Sequence, residues 1–148
     1  MSEHIAKIKW KNEATDFDYE TYDRTHLVEF PGGKVTASSA PEYKGDARFV
    51  NPEEMLAAAV ASCHMLTFLA VAAKSRLHLL TYSDRAVAHL EKDTDGIIRV
   101  TRVDLHPKVT FKEDVPAEKQ TSMHEKAHRN CFVANSVKCE VRVNERTR

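Results

Sequence analysis

The stretch Asn51-Pro-Glu-Glu-Met-Leu-Ala-Ala-Ala-Val-Ala-Ser-Cys63-His-Met-Leu-Thr-Phe-Leu-Ala-Val-Ala-Ala73 is the most apolar run in the chain, and its reading decides the fold. Asn51 suits a helix N-cap, Pro52 the first helical position, and Glu53 and Glu54 the first turn. Lys74 and Arg76 supply cations where a helix ends, so the pattern predicts one long helix closing near Lys74 to Arg76. From Met55 to Ala73 the run is about as long as the shortest membrane spans, roughly 17 to 25 residues. It is rich in alanine, however, and Ser62, His64 and Thr67 interrupt it. With no other segment resembling a span, it reads as the buried central helix of a soluble protein.

On either side of this helix the pattern changes to strands. Ile5 to Lys11 alternates around Ile8 and Trp10. His26 to Phe30 and Lys34 to Ser38 form two strands around the break Pro31-Gly32-Gly33. Pro41 to Asn51 reads as a polar loop. Beyond the helix, Leu79 to Glu91 and Ile97 to Phe111 read as two long strands turned at Asp95-Gly96, with Val103, Leu105, Val109 and Phe111 on one face of the second. A second helix starts at Asp114 or Val115, before Pro116, and carries to about Asn130. Val137, Cys139, Val141 and Val143 alternate as a closing strand. Strands, central helix, strands, helix and strand predict an α+β fold with mainly antiparallel pairing.

At 148 residues the chain is expected to be one domain, 1–148, large enough to bury a core. Lys and Arg together number 22, as do Asp and Glu, so no net field draws nucleic acid or an anionic membrane. Three cysteines fit reduced thiols better than a disulfide framework. The start, Met1-Ser-Glu-His-Ile-Ala-Lys7, lacks the basic and apolar regions of a secretory signal. The expected address is the cytoplasm.

The chemistry rests on cysteines and histidines. Cys63 reads either as a small core hydrophobe or as a reactive thiol. In the second reading it needs help, because a mid-helix position gives nothing from a helix N-terminus, and burial raises a thiol pKa; a cation brought close by the fold is expected. His124, His128 and Cys131 fall at i, i+4 and i+7 on one helix face. Joined by Cys63 and His64 they offer zinc ligands, yet the paired Cys-x-x-Cys knuckles of structural zinc sites are missing. A solvated face with two surface histidines is the simpler reading, and no metal or cofactor is expected. Cys139 shares a face with valines and reads as a packed core thiol.

These residues also resemble a known family. Asn51-Pro-Glu-Glu-Met-Leu-Ala-Ala-Ala-Val-Ala-Ser-Cys63 is similar to the central helix of the OsmC/Ohr family, the osmotically inducible and organic hydroperoxide resistance proteins. Ala127-His-Arg-Asn-Cys131-Phe-Val-Ala-Asn-Ser-Val137 resembles the family's second cysteine motif. Ser38-Ser-Ala-Pro-Glu-Tyr-Lys-Gly-Asp46 and Ser62-Cys-His-Met-Leu-Thr67 look closer to an OsmC-like subgroup than to Ohr. The resemblance implies an OsmC-like fold and a cysteine-based peroxidase. Cys63 would be the peroxidatic cysteine, Cys131 the resolving one, and Glu53 the acid of the Asn-Pro-Glu motif. Arg24 would be the activating arginine, with Arg48 as the alternative. An external dithiol, possibly of lipoyl type, would recycle the enzyme. A non-catalytic ligand-binding stress protein of the same fold is the alternative.

Geometry adds a constraint. Ten residues of α-helix rise about 15 Å, so Glu53 cannot reach Cys63 along an unbroken helix. An intertwined homodimer, which the resemblance also implies, would supply Glu53 and its arginine from the second subunit. Leu, Phe, Met and Val around Cys63 would suit organic over inorganic peroxide. His64, turned about 100° from Cys63, is expected to be structural.

Overall fold

The computed structural model describes residues 1–145, which divide into two compact units, Met1–Met55 and a second that begins at Leu56. In the first unit, β1 (Lys7–Lys9), β2 (His26–Phe30) and β3 (Gly33–Ala37) form an antiparallel sheet in that order. Phe30 pairs with Gly33 across the two-residue turn Pro31–Gly32, where a strand break was expected. The N-terminal strand is shorter than Ile5 to Lys11. The polar loop contains a 3-10 turn, Pro41–Tyr43, after which Lys44 turns left-handed with φ 61°. Gly45 then passes so close to the chain that a Cβ would lie 1.6 Å from the Ser39 carbonyl oxygen, so no larger residue fits.

Helix α1 (Pro52–Lys74) starts as its sequence predicts. The Asn51 side-chain oxygen accepts from the Glu54 N–H at 2.8 Å, and Glu54 accepts from the Asn51 N–H at 3.0 Å, a reciprocal capping box. At the other end Arg76 takes a left-handed φ of 58° and the Leu77 N–H bonds the Ala72 carbonyl, closing the helix.

The second unit packs two layers against this helix. Its first half buries Ala57 and Val60 against Val103 and Leu105, on the sheet β5–β6–β8 (Val87–Lys92, Ile98–Leu105, Glu140–Val143). Its second half buries Phe68 and Ala72 against Met123 and Ala127 of α2 (Ala117–Asn130) and the β4–β7 pair (Leu79–Ser83, Lys108–Phe111). The buried positions 57, 60, 64, 68 and 72 recur every three or four residues, as one face of a helix must. The opposite face carries Ala59, Ser62, Leu66, Ala70 and Ala73 to the surface. By length and composition α1 is able to cross a membrane, and 28% of its most apolar window is buried. The expected buried central helix is therefore buried on one side within this chain.

The two long strands are each split. Leu79 to Glu91 becomes β4 and β5, and Ile97 to Phe111 becomes β6 and β7, so Val109 and Phe111 line a different sheet from Val103 and Leu105. Two features cause the break. Pro107 has no N–H to give a ladder. The Asp84 carboxylate takes the His106 N–H at 2.7 Å, removing that donor from strand pairing as well. The hairpin at Asp95-Gly96 holds: Asp93 accepts from the N–H groups of Asp95 and Ile97, both at 2.9 Å, and Gly96 takes φ 80°. The last strand is shorter than expected, excluding Val137 and Cys139, and it pairs with β6 in parallel.

Candidate active site

Cys63 lies on α1 one turn beyond the buried Val60, half-exposed, and Cys131 caps the C-terminus of α2, fully buried. The fold brings the two thiols close enough for each to shift the other's titration. A tight turn follows Cys131. The Asn135 N–H bonds the Cys131 carbonyl at 3.0 Å, the Ser136 N–H bonds Val133 at 3.0 Å, and the Ser136 hydroxyl donates to Phe132 at 2.7 Å. This winding turns main-chain N–H groups toward the sulfurs.

Burial alone would raise the Cys63 pKa, but the Val133 N–H, the Cys131 thiol, the Phe132 N–H and Thr67 outweigh it and hold the thiol below its ordinary range. Cys131 moves the other way. Burial pushes it up to about 11, and the neighbouring Cys63 charge adds to the rise despite an N–H from Ala134. One sulfur is thus suited to be the thiolate and its neighbour to be the thiol that donates to it. The cation expected to activate Cys63 gives way, within this unit, to amide donors. No side-chain pattern reports them, because they belong to the main chain. Thr67 does carry a signal: it sits four residues after Cys63 on the same helix face, and its hydroxyl also donates to the Cys63 carbonyl at 2.8 Å.

Beside Cys63 opens a cavity of about 760 Å³, lined mostly by apolar side chains including Leu66, Val71 and Val133. Phe132, 82% exposed, stands at its edge. Lys74 brings a charge to the lining, about 16 Å of helix rise beyond Cys63.

Of the two histidines expected on a solvated face of α2, His124 is buried and His128 half-buried, so that face is not solvated. His64 and His124 are 1% and 3% exposed; their rings stack 5.4 Å apart, with His64 Nε2 and His124 Nδ1 at 3.1 Å. His124 also stacks on Phe68 at 4.2 Å. Burial depresses both, His64 to about 4 with His124 and His128 adding to the effect, and His124 to about 4. They join α1 to α2, which is the structural role expected of His64. No group of three or more His, Cys, Asp or Glu among the described residues is arranged to hold a metal. Cys139 packs partly buried against the core of the β5–β6–β8 sheet.

Arg24, Arg48 and Glu53 belong to the first unit. The Arg24 guanidinium lies over the Tyr22 ring at 3.8 Å and donates to the carbonyls of Tyr22 and Tyr19, both at 2.7 Å. Arg48 donates to the Asp46 carboxylate from Nε and Nη2, one edge of its guanidinium, and that pairing holds Asp46 down at about 2. Glu53 stands half-exposed in the first turn of α1. Its neighbour Glu54 is occupied by the capping box, and among the described residues Glu53 is the acid of the motif with no side-chain bond.

Two cysteines on helices of an α+β unit, one at the centre of an Asn-Pro-Glu helix, agree with a match of residues 45–146 to the family model described as OsmC-like protein. The chain belongs to the OsmC-like family. This OsmC-like protein is 41% identical to a solved OsmC-like protein of unknown function from Vibrio cholerae O1 biovar eltor, covering 99% of this chain and 100% of that one with a TM-score of 0.92. An organic hydroperoxide resistance protein OsmC from Legionella pneumophila shares the fold at 21% identity, with a TM-score of 0.77 over 99% and 98% of the two chains. The uncharacterized protein YmaD of Bacillus subtilis is 26% identical over 121 residues, 74% of this chain and 75% of that one. The expected OsmC-like α+β fold is therefore the fold observed.

Proposed function

We propose that this OsmC-like protein is a cysteine-based peroxidase that reduces organic hydroperoxides. The observation that carries the reading is the closeness of Cys63 and Cys131, with one thiol shifted down and the other up, beside an apolar cavity. Family membership supports a role in peroxide stress, and the fold is shared with a protein named for organic hydroperoxide resistance.

In the first step the Cys63 thiolate attacks the distal peroxide oxygen. An S–O bond forms, the O–O bond breaks, and the alkoxide takes a proton to leave as alcohol, with Cys63 as sulfenic acid. The Cys131 sulfur then attacks Cys63. The S–S bond forms, the S–O bond breaks, and the departing hydroxide leaves as water with the thiol proton. An external dithiol, of lipoyl type in our proposal, restores both thiols by exchange. Arg24 is assigned to orient the peroxide and Glu53 to hold that arginine's fork. Because α1 runs unbroken from Pro52 to Lys74, Glu53 and Cys63 stand about 15 Å apart along it. A homodimer, in the cytoplasm, is the assembly proposed to complete the site.

Intact mass after one equivalent of cumene hydroperoxide tests the reading. The reduced protein should lose two hydrogens to a Cys63–Cys131 disulfide, and Cys131→Ser should stop at a Cys63 sulfenic acid that a dione reagent traps. A non-catalytic binder would oxidise slowly and without that disulfide, and this result would overturn the proposal.

A further inference from the structure

Four segments of the second unit cross from one of its cores to the other, and each sets a polar or reactive group at the crossing. On α1, Cys63 lies between Val60 of one core and Phe68 of the other. Past α2, Cys131 lies between Ala127, on the Phe68 core, and Val133, on the Val60 core. Tyr82 packs on the Phe68 core and Ala86 on the Val60 core, with Asp84 between them. Leu105 and Val109 bracket His106 in the same way, and the His106 N–H donates to one Asp84 oxygen at 2.7 Å. The two thiols, Tyr82 and Asp84 therefore lie at one level of the fold.

This junction holds polar atoms that the packing leaves unused. The Tyr82 hydroxyl and the second Asp84 oxygen are enclosed, and neither has a hydrogen-bond partner among the described residues. Enclosed polar groups without partners destabilise a fold, so two in one place call for a use. Tyr82 senses both neighbours: after burial, the charges of Asp84 and then Cys131 hold its phenol above the ordinary range. Burial raises Asp84 as well, against the pull of His106. A proton taken up by Asp84 removes a charge from the interior, whereas one taken up by buried His64 or His124 creates a charge there. Asp84 is thus the junction group whose burial favours accepting a proton.

We propose that Tyr82 and Asp84 form a proton-accepting pair that serves Cys131 when it attacks the oxidised Cys63. This rests on the peroxidase reading, in which a fully buried thiol that keeps its proton up to about 11 must shed it to form the disulfide. As the S–S bond forms, the Cys131 proton passes to the Tyr82 oxygen and the phenolic proton to the Asp84 carboxylate. The Cys63 S–O bond breaks with its electron pair on hydroxide, which takes a proton from solvent while Asp84 returns one. The net balance is that of direct transfer: one thiol proton lost and one water formed.

Rapid-quench intact mass after one equivalent of cumene hydroperoxide separates the two steps, since the sulfenic acid gains an oxygen and the disulfide loses hydrogens. Tyr82→Phe keeps the ring, and Asp84→Asn keeps an acceptor for the His106 N–H. Each should form sulfenic acid at the parent rate and close the disulfide on the order of a hundredfold more slowly at pH 7, the low end of what a placed proton acceptor supplies. The double variant should be no slower than either single one, because the pair acts as a unit. The deficit should shrink as pH rises toward about 11, where Cys131 ionises unaided. A deficit constant across pH would mark a displaced Cys131 and overturn the proposal. Closure at the parent rate in both variants, with sulfenic acid forming normally, would do the same and leave the peroxidase reading intact. A parent protein that forms no sulfenic acid would remove that reading and the pair with it.

Discussion

At the scale of single residues, the two cysteines differ more than their common side chain suggests. Cys63 is half-exposed and held down by the nearby N–H groups of Val133 and Phe132; Cys131 is buried and pushed up. Thiolate is the species that alkylates. At pH 7, iodoacetamide should therefore modify Cys63 faster than an unperturbed thiol such as glutathione, while Cys131 stays unmodified until its elevated pKa of about 11 is approached. Peptide mapping after a timed quench measures both, and equal labelling of the two would contradict the asymmetry. The candidacy of both cysteines was legible in the sequence, since each lies in a helix pattern resembling a family motif. Their inequality was not, because main-chain amides in a turn leave no trace in residue order.

At the scale of elements, α1 and α2 are tied by the His64–His124 contact. Both rings are neutral in the fold at neutral pH, and burial lowers both from about 6.5 to about 4. The unfolded chain consequently binds more protons across that window. Stability from the pair is complete above pH 6.5 and is lost as pH falls toward 4. At 1.36 kcal/mol per unit, the effect is on the order of 3 kcal/mol per ring, and less than twice that for two rings sharing one hydrogen bond. Urea titrations between pH 7 and pH 4 should show this fall, and His124→Phe should flatten it. An unchanged pH slope in that variant would assign the acid sensitivity elsewhere. Helix α1 itself was readable, cap included, because Asn51, Pro52 and Glu54 act locally. The splitting of the two long strands was less so. Pro107 carries a signal against a continuous strand, but the Asp84 bond to the His106 N–H joins residues far apart in sequence.

At the scale of the whole molecule, the open question is what meets the outer face of α1. Leu66 is 59% exposed, and alanines at 59, 70 and 73 continue its stripe toward the cavity edge at Phe132. Apolar surface of this kind favours association over hydration. Sedimentation should find a homodimer, and Leu66→Glu should shift it toward monomer with loss of peroxidase turnover. A parent protein that is monomeric yet fully active would remove the dimer from the proposal. Periodicity alone does not distinguish this face from the buried one, because α1 is apolar nearly all round. The choice is made by the sheets and by α2, which cover one side.

The packing of that covered side has a mechanical consequence. Ala57 and Val60 rest on one sheet, Phe68 and Ala72 on α2 and the other sheet, and Cys63 falls in the span between. The helix behaves there as a beam on two bearings, with the sulfur near midspan. Neither bearing alone fixes the thiol, and a methylene lost at either end changes the load on both. Sulfur-to-sulfur alignment is thus a property of two separate cores, transmitted by the stiffness of the helix between them.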